Sequence, residues 1–186
     1  MIAQKKIPIL IFDTNIFLKG IDINIFKEKI YTTPKIIEEI DVLKYSDKNR
    51  NILNRIEVAI ANEHLIIREP KKEYVMKTVN RSNFTGDLTA LSKADIELIA
   101  LALELKERAE EEVILYSNDY SIQNLASEMK IKYSSIHKKG IEEQKIFEFF
   151  CPHCKKTYDI GTFDKICEIC GSILKRRPKK REKNNV

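Results

Sequence analysis

Apolar residues along the chain alternate between short continuous runs and helical periods. Ile7-Pro8-Ile9-Leu10-Ile11-Phe12 is a continuous run, as in a strand buried on both faces, with Pro8 near its start, where a missing N–H is harmless. Residues 31–33 read as a second, weaker strand, and Pro34 opens a helix, because its nitrogen is not needed as a donor in the first turn. Residues 49–62 place Ile52, Leu53, Ile56, Ala59 and Ile60 at helical spacing. An edge strand at 65–67, a helix around 73–79 and a polar, loop-like stretch at 81–87 follow. From Ser92 a long helix runs to about Arg108, and its 96–105 segment is apolar almost all round, which predicts deep burial. A strand at 113–116, a helix to about Met129 and a strand at 131–133 complete the pattern. Strands alternating with helices predict an α/β fold with a mainly parallel sheet.

Composition narrows the class. The chain has 186 residues, 43% of them hydrophobic and 33% charged, enough apolar material for a packed core. No run reaches the length of a membrane span, and the apolar stretch after the N-terminal lysines is too short for a signal-peptide core, so an intracellular, cytoplasmic protein is expected. The five glycines, at 20, 86, 140, 161 and 171, spell neither a dinucleotide fingerprint nor a phosphate loop. His64, His137 and His153 lie in no context that pairs a nucleophile with a base. The net charge is +5 but uneven: residues 175–186 hold seven basic residues and one acid, so the body is electrically balanced and the basicity is a tail. Such a tail is either a nucleic-acid contact or a solubilising, disordered terminus.

All four cysteines fall between positions 151 and 170, as Cys151-Pro152-His153-Cys154 and Cys167-Glu168-Ile169-Cys170-Gly171. Two C-x-x-C knuckles separated by a hairpin-sized loop suit one tetrahedral zinc ion. Disulfides fit a cytosolic setting poorly, and a redox motif needs one pair only. Four thiolates leave no open coordination position, so the zinc is structural, and a module this small draws most of its folding energy from the metal. Gly171 gives the backbone freedom after the second knuckle; its counterpart after the first is Lys155, a less favourable residue there.

Acidic residues outside the ribbon carry the remaining chemistry. Asp13 directly follows the first strand and Asp119 follows another by two residues, at the carboxyl ends where open parallel sheets bind ligands. Each is equally well placed to be a helix N-cap. On a helical wheel Ile36, Ile40 and Leu43 share a face; Glu39 lies at its edge and Glu38 nearly opposite. Asp95 stands in Ser92-Lys93-Ala94-Asp95, the spacing of a capping box, at the mouth of the most apolar helix. Four such carboxylates suit hard Mg²⁺ or Mn²⁺ ions acting on a phosphodiester.

Phe12-Asp13-Thr14-Asn15, Glu39, Asp95 and Ser117-Asn118-Asp119 resemble the acidic set of the PIN-domain nucleases. Residues 31–40, Thr85-Gly86-Asp87 through Leu91-Ser92, Asp95-Ile96 to Leu101-Ala102, Asp119-Tyr120 and Gln123-Asn124, followed by a four-cysteine ribbon, look like the archaeal Nin-one-binding branch of that family. The resemblance implies a PIN-like three-layer α/β/α sandwich over residues 1–146, a zinc ribbon at 147–174 and a basic tail at 175–186, expected to be disordered. It implies a Mg²⁺- or Mn²⁺-dependent endoribonuclease that generates the mature 3′ end of small-subunit (16S) rRNA during ribosome biogenesis, with precursor rRNA and the pre-ribosomal particle as partners and no membrane. The family's four acids carry over onto Asp13, Glu39, Asp95 and Asp119, with Asn15, Asp87 and Ser117 as supporting candidates. Lys175, Arg176, Arg177, Lys179, Lys180 and Arg181 are candidates for phosphate contacts. Phe149, Phe150, Tyr158 and Phe163 could stack on bases or, more simply, pack the small module. A non-cleaving RNA-binding assembly factor is the alternative reading; a PIN-type toxin is disfavoured by the ribbon. The oligomeric state, a homodimer included, is left open.

Overall fold

The structure, a computed structural model, describes residues 6–42, 46–85, 90–136, 147–158 and 166–178. The first sheet is built from β1 (Ile9–Phe12), β2 (Ile30–Thr32), β3 (Leu65–Ile67), β4 (Val113–Tyr116) and β5 (Lys132–Ser134). Its order is β3-β2-β1-β4-β5 and every pairing is parallel. Helices α1 (Thr14–Leu18), α2 (Pro34–Ile40), α3 (Ser46–Ala61), α4 (Lys72–Thr85), α5 (Lys93–Arg108) and α6 (Tyr120–Glu128) flank it, with a 3₁₀ turn at Ile23–Ile25. This is the α/β architecture that the alternating pattern predicts. Strand β1 pairs with β2 on one side and β4 on the other, so the strand order reverses there. That switch point leaves a crevice outside the carboxyl ends of β1 and β4, where chain connections diverge to opposite sides.

Central position explains the apolar run of β1: Leu10, Ile11 and Phe12 are buried, covered on both faces of the sheet. Phe12 meets the rings of Phe17, Phe26 and Tyr116 edge-on at 5.5–5.9 Å between centroids. Helix α5 is buried from Leu98 through Leu105, as its sequence predicts. That run includes one acid, Glu104, fully buried. Its carboxylate accepts from the Arg68 guanidinium and from the Lys71 N–H at 2.8 Å, so it fastens the β3–α4 connection to the core helix.

Several elements differ from the sequence expectation. Helix α4 continues through residues 81–85, which read as loop; Arg81 pairs with Glu128 of α6, and the hydroxyl of fully buried Ser82 donates to the Val79 carbonyl at 2.8 Å, so tertiary contacts override weak local preference. Strand β5 starts one residue late, because Lys130 takes a positive φ of 56° and the Ile131 N–H is drawn back to the Ala126 carbonyl at 2.8 Å. Helix α1 and the 3₁₀ turn carry too few residues for a periodic signal.

A second, antiparallel sheet of order β7-β6-β8 comprises β6 (Phe147–Phe150), β7 (Thr157–Tyr158) and β8 (Lys175–Pro178). Here the expectation of a disordered tail from residue 175 needs correction: Lys175–Pro178 is a strand along β6, with Arg177 stacked over Phe150 at 4.6 Å and bonded to Glu148 at 2.8 Å. Cross-strand partners absorb the positive charge that a tail would leave to solvent. Residues 179–186 lie outside the described residues.

Truncating Glu104 to Ala strands the Lys71 N–H and one half-exposed guanidinium. Glu104→Ala should therefore lower unfolding stability by about 2–3 kcal/mol in urea titrations, and Glu104→Gln by less. A loss below about 0.5 kcal/mol, the range of an ordinary surface change, would contradict this role.

Candidate active site

Asp13 follows β1 and begins α1, yet its side chain makes no helix-capping bond. Its Oδ2 instead accepts from the Ser117 hydroxyl at 2.7 Å and from the Asn15 amide. Only 4% of Asp13 is exposed. Ser117, at the end of β4 and fully buried, links two acids, since the Asp119 N–H donates to its Oγ at 3.0 Å. Asp119 does cap α6: its Oδ1 accepts from the Ser121 N–H at 2.6 Å and the Ile122 N–H at 3.4 Å. Asp95 completes a true capping box, taking the Ser92 N–H on Oδ2 at 2.7 Å while its own N–H donates to Ser92 Oγ at 3.1 Å. Glu39 Oε2 accepts the Thr14 hydroxyl at 2.6 Å. Glu38 is also exposed and lies on the Lys35 side of α2, as the helical wheel predicts.

Each of the four carboxylates thus has one oxygen anchored to the scaffold. Capping and cation binding are not competing roles here, because a cap occupies one oxygen and a carboxylate has two. The charges interact as well. Burial pushes the Asp13 carboxyl up to about 7; the Ser117 hydroxyl opposes the rise, and the negative charges of Asp95 and Asp119 add to it. Burial likewise raises Asp95, against its bonds to Ser92 and reinforced by the charges of Asp119 and Glu39. Among the described residues no lysine or arginine forms an ion pair with Asp13, Asp95 or Asp119. Acids from the ends of β1, α2 and β4 and the start of α5 therefore stand near enough to one another at the switch point for their charges to interact. All-oxygen donors of this kind suit a hard divalent cation.

Other polar groups brace the segments that carry these acids. The Asn118 backbone N–H and side-chain amide both donate to Asn15 Oδ1, at 3.3 and 3.1 Å, and Asn118 Oδ1 accepts the Ile136 N–H at 3.1 Å. The buried Gln123 amide donates to the Ser117 carbonyl at 2.7 Å. Of the supporting candidates, Asn15 and Ser117 touch Asp13 directly, whereas Asp87 lies outside the described residues. Thr14, Asn118 and Gln123 were not singled out from sequence; each stands in a quoted motif, but no spacing rule identifies its partner.

The cysteines form a separate cluster. Sγ atoms of Cys151, Cys154, Cys167 and Cys170 all lie within 4.8 Å of one another, with Cys151–Cys170 and Cys154–Cys167 both at 3.4 Å. These separations are far too long for disulfides and close to the edges of a tetrahedral thiolate site. The cluster fits a zinc ribbon. Both knuckles close alike, with Lys155 N–H donating to the Cys151 carbonyl at 3.0 Å and Gly171 N–H to the Cys167 carbonyl at 2.8 Å. The Tyr158 hydroxyl, 3.0 Å from Cys167 Sγ, pulls that thiol down to about 6. His153 is exposed and not part of the set.

A family model described as "PIN domain of ribonuclease" matches residues 10–105, a span that holds Asp13, Glu39 and Asp95. The chain is 32% identical to "Endoribonuclease Nob1" of Pyrococcus abyssi, over 92% of this chain and 94% of that protein. The chain belongs to the PIN-domain ribonucleases of the Nob1 group. It is 35% identical to the Nob1 endoribonuclease of Methanocaldococcus jannaschii, over 90% of this chain and 76% of that one. A "20S-pre-rRNA D-site endonuclease nob1" of Schizosaccharomyces pombe matches at 31% over 55% of this chain and 24% of its own length. A PIN-domain match and a four-cysteine cluster thus occur together in this chain. No helix among the described residues is long and apolar enough to cross a membrane.

A raised Asp13 pKa means that the folded state holds a proton which the unfolded chain releases. Without Mg²⁺ or Mn²⁺, stability attributable to this group falls as pH rises from about 4 through about 7. Asp13→Asn should therefore be more stable than the native chain at pH 8, by on the order of 2–4 kcal/mol, and no more stable at pH 4. Thermal melts at both pH values check this; a less stable variant at pH 8 would contradict it.

Proposed function

We propose that this endoribonuclease cuts precursor small-subunit rRNA to produce its mature 3′ end, in the cytoplasm and within a pre-ribosomal particle, and that Asp13, Glu39, Asp95 and Asp119 hold the catalytic Mg²⁺ or Mn²⁺. The observation that carries the reading is a set of four half-anchored carboxylates whose charges interact and with none of which, among the described residues, a lysine or arginine forms an ion pair. The rRNA substrate rests on the pre-rRNA named for the S. pombe relative. The donor set fits a hydrated ion: among the described residues only the cysteines are already gathered around one point, and the looser carboxylates leave room for water in the coordination, as Mg²⁺ prefers.

When bound, the ion supplies Lewis-acid activation of water and neutralises charge on the phosphodiester. The protein's part is to hold donors still. Asn15 and Ser117 fix the Asp13 carboxylate, and the Ser117 hydroxyl ties it to the Asp119 turn. Ser92 fixes Asp95, and Thr14 fixes Glu39. Water attacks the scissile phosphorus in line, leaving a 3′-hydroxyl on the mature RNA and a 5′-phosphate on the released fragment. No side chain serves as nucleophile.

Zn²⁺ in the cysteine cluster holds the ribbon, and the ribbon grips RNA. Lys175 and Arg177 alternate along β8 onto the face that carries Phe150, forming a cationic strip against phosphate. Arg176, Lys179, Lys180 and Arg181 extend the basic run in sequence and are proposed to add phosphate contacts. Phe149 and Tyr158 pack in the ribbon core, so Phe150 is the aromatic left for a base; Phe163 lies outside the described residues.

Asp13→Asn should abolish Mn²⁺-dependent cleavage of a precursor 3′-end fragment, by at least about 10²-fold, with RNA affinity unchanged. Equal cleavage by the two proteins would refute the site. In the ribbon, Lys155 and Gly171 both adopt a positive φ, 65° and 69°. Lys155→Gly should tighten zinc retention against a competing chelator and Gly171→Ala should weaken it, each by about 1 kcal/mol or roughly five-fold. Unchanged retention in both would contradict this account of the knuckles.

A further inference from the structure

Glu39 is the member of the acidic set least constrained by its own helix. Ile36 and Ile40 are fully buried and fix the rotation of α2, which leaves Glu39 at the edge of the packed face, exposed, on a side chain with three rotatable bonds. Asp13 is held by two donors, Ser117 and Asn15, and Asp95 and Asp119 by their own caps. Glu39 has no cap and no second donor. Its negative neighbours push it outward, and solvent rewards that movement.

One bond opposes it. Thr14, the first residue of α1 and the neighbour of Asp13, directs its hydroxyl at Glu39 Oε2 at 2.6 Å, the length of a charge-assisted hydrogen bond. Oε1 makes no hydrogen bond or ion pair among the described residues. We propose that Thr14 is a positioning residue: its hydroxyl tethers Glu39 beside Asp13 with one oxygen turned to the cation, and so sets the affinity of the hollow for a divalent ion. The inference rests on the assignment of the four acids to a metal and goes beyond it by making that affinity depend on a neutral side chain. The hydroxyl matters and the methyl does not.

The test uses the full chain with zinc in its ribbon and compares native protein, Thr14→Val, Thr14→Ser and Glu39→Gln. Mn²⁺ binding is read directly, from the electron paramagnetic resonance signal of the free ion, and folding from thermal melts. Thr14→Val should bind Mn²⁺ about ten-fold more weakly at an unchanged melting temperature. Thr14→Ser should stay within about two-fold of the native value, because it keeps the donor. Native-like binding by Thr14→Val would overturn the proposal. Equal weakening in Val and Ser would overturn it too, since packing would then be responsible. If Glu39→Gln binds as the native chain does, or if the native chain binds no Mn²⁺, the assignment of the acids fails, and the tether fails with it.

Discussion

Asp13 directly follows the central strand with almost no contact with water, close to two other acids and with no ion pair among the described residues. A carboxylate in such a place is costly unless something external compensates it. Much of the local structure can be understood as making that placement tolerable. The Ser117 hydroxyl and the Asn15 amide both reach Asp13 Oδ2; Asn118 holds Asn15; Gln123 holds the Ser117 carbonyl. The network ties the ends of β1 and β4 together at the position where the sheet's connections diverge. Hydrogen bonding confers order on the acids but leaves their charge unneutralised, and in the proposed function that residual charge is what a divalent ion would compensate.

Two candidate ligand sets in one chain show two strategies. The cysteines sit in paired knuckles whose backbones fix each sulfur, so the four ligand atoms converge within 4.8 Å. Local geometry suffices because each knuckle supplies two ligands. The carboxylates come from four elements and repel one another, so only tertiary structure can gather them, and it gathers them loosely. A closed thiolate set favours a permanent structural ion, while a loose oxygen set favours a hydrated ion that leaves room for substrate.

How much of this was legible in the sequence follows the same division. Periodicity gave the strands and long helices because β1 and α5 are buried as their composition demands. The C-x-x-C spacing pointed to the ribbon for a local reason as well. Asp13, Asp95 and Asp119 could be noticed because each stands next to a strand end or a helix start, but helix capping explained each of them equally well. Only the folded structure shows that Asp95 and Asp119 cap with one oxygen and keep a second, and that Asp13 caps nothing and bonds Ser117 and Asn15 instead. Thr14, Asn118 and Gln123 stand in quoted motifs, but their roles are not legible there because their partners lie 25, 103 and 6 positions away, at separations no pattern rule encodes. The strand at Lys175–Pro178 was misread because charge was weighed without its cross-strand neighbours Glu148 and Phe150.

The central claim is that the electronegative hollow captures one or more divalent ions. Crystals of the native protein soaked in Mn²⁺ and measured at the manganese absorption edge test it most directly. The account predicts anomalous density enclosed by Asp13, Asp95, Asp119 and Glu39, within direct or one-water reach of each carboxylate. Manganese bound elsewhere, with this hollow empty at saturating concentration, would contradict it.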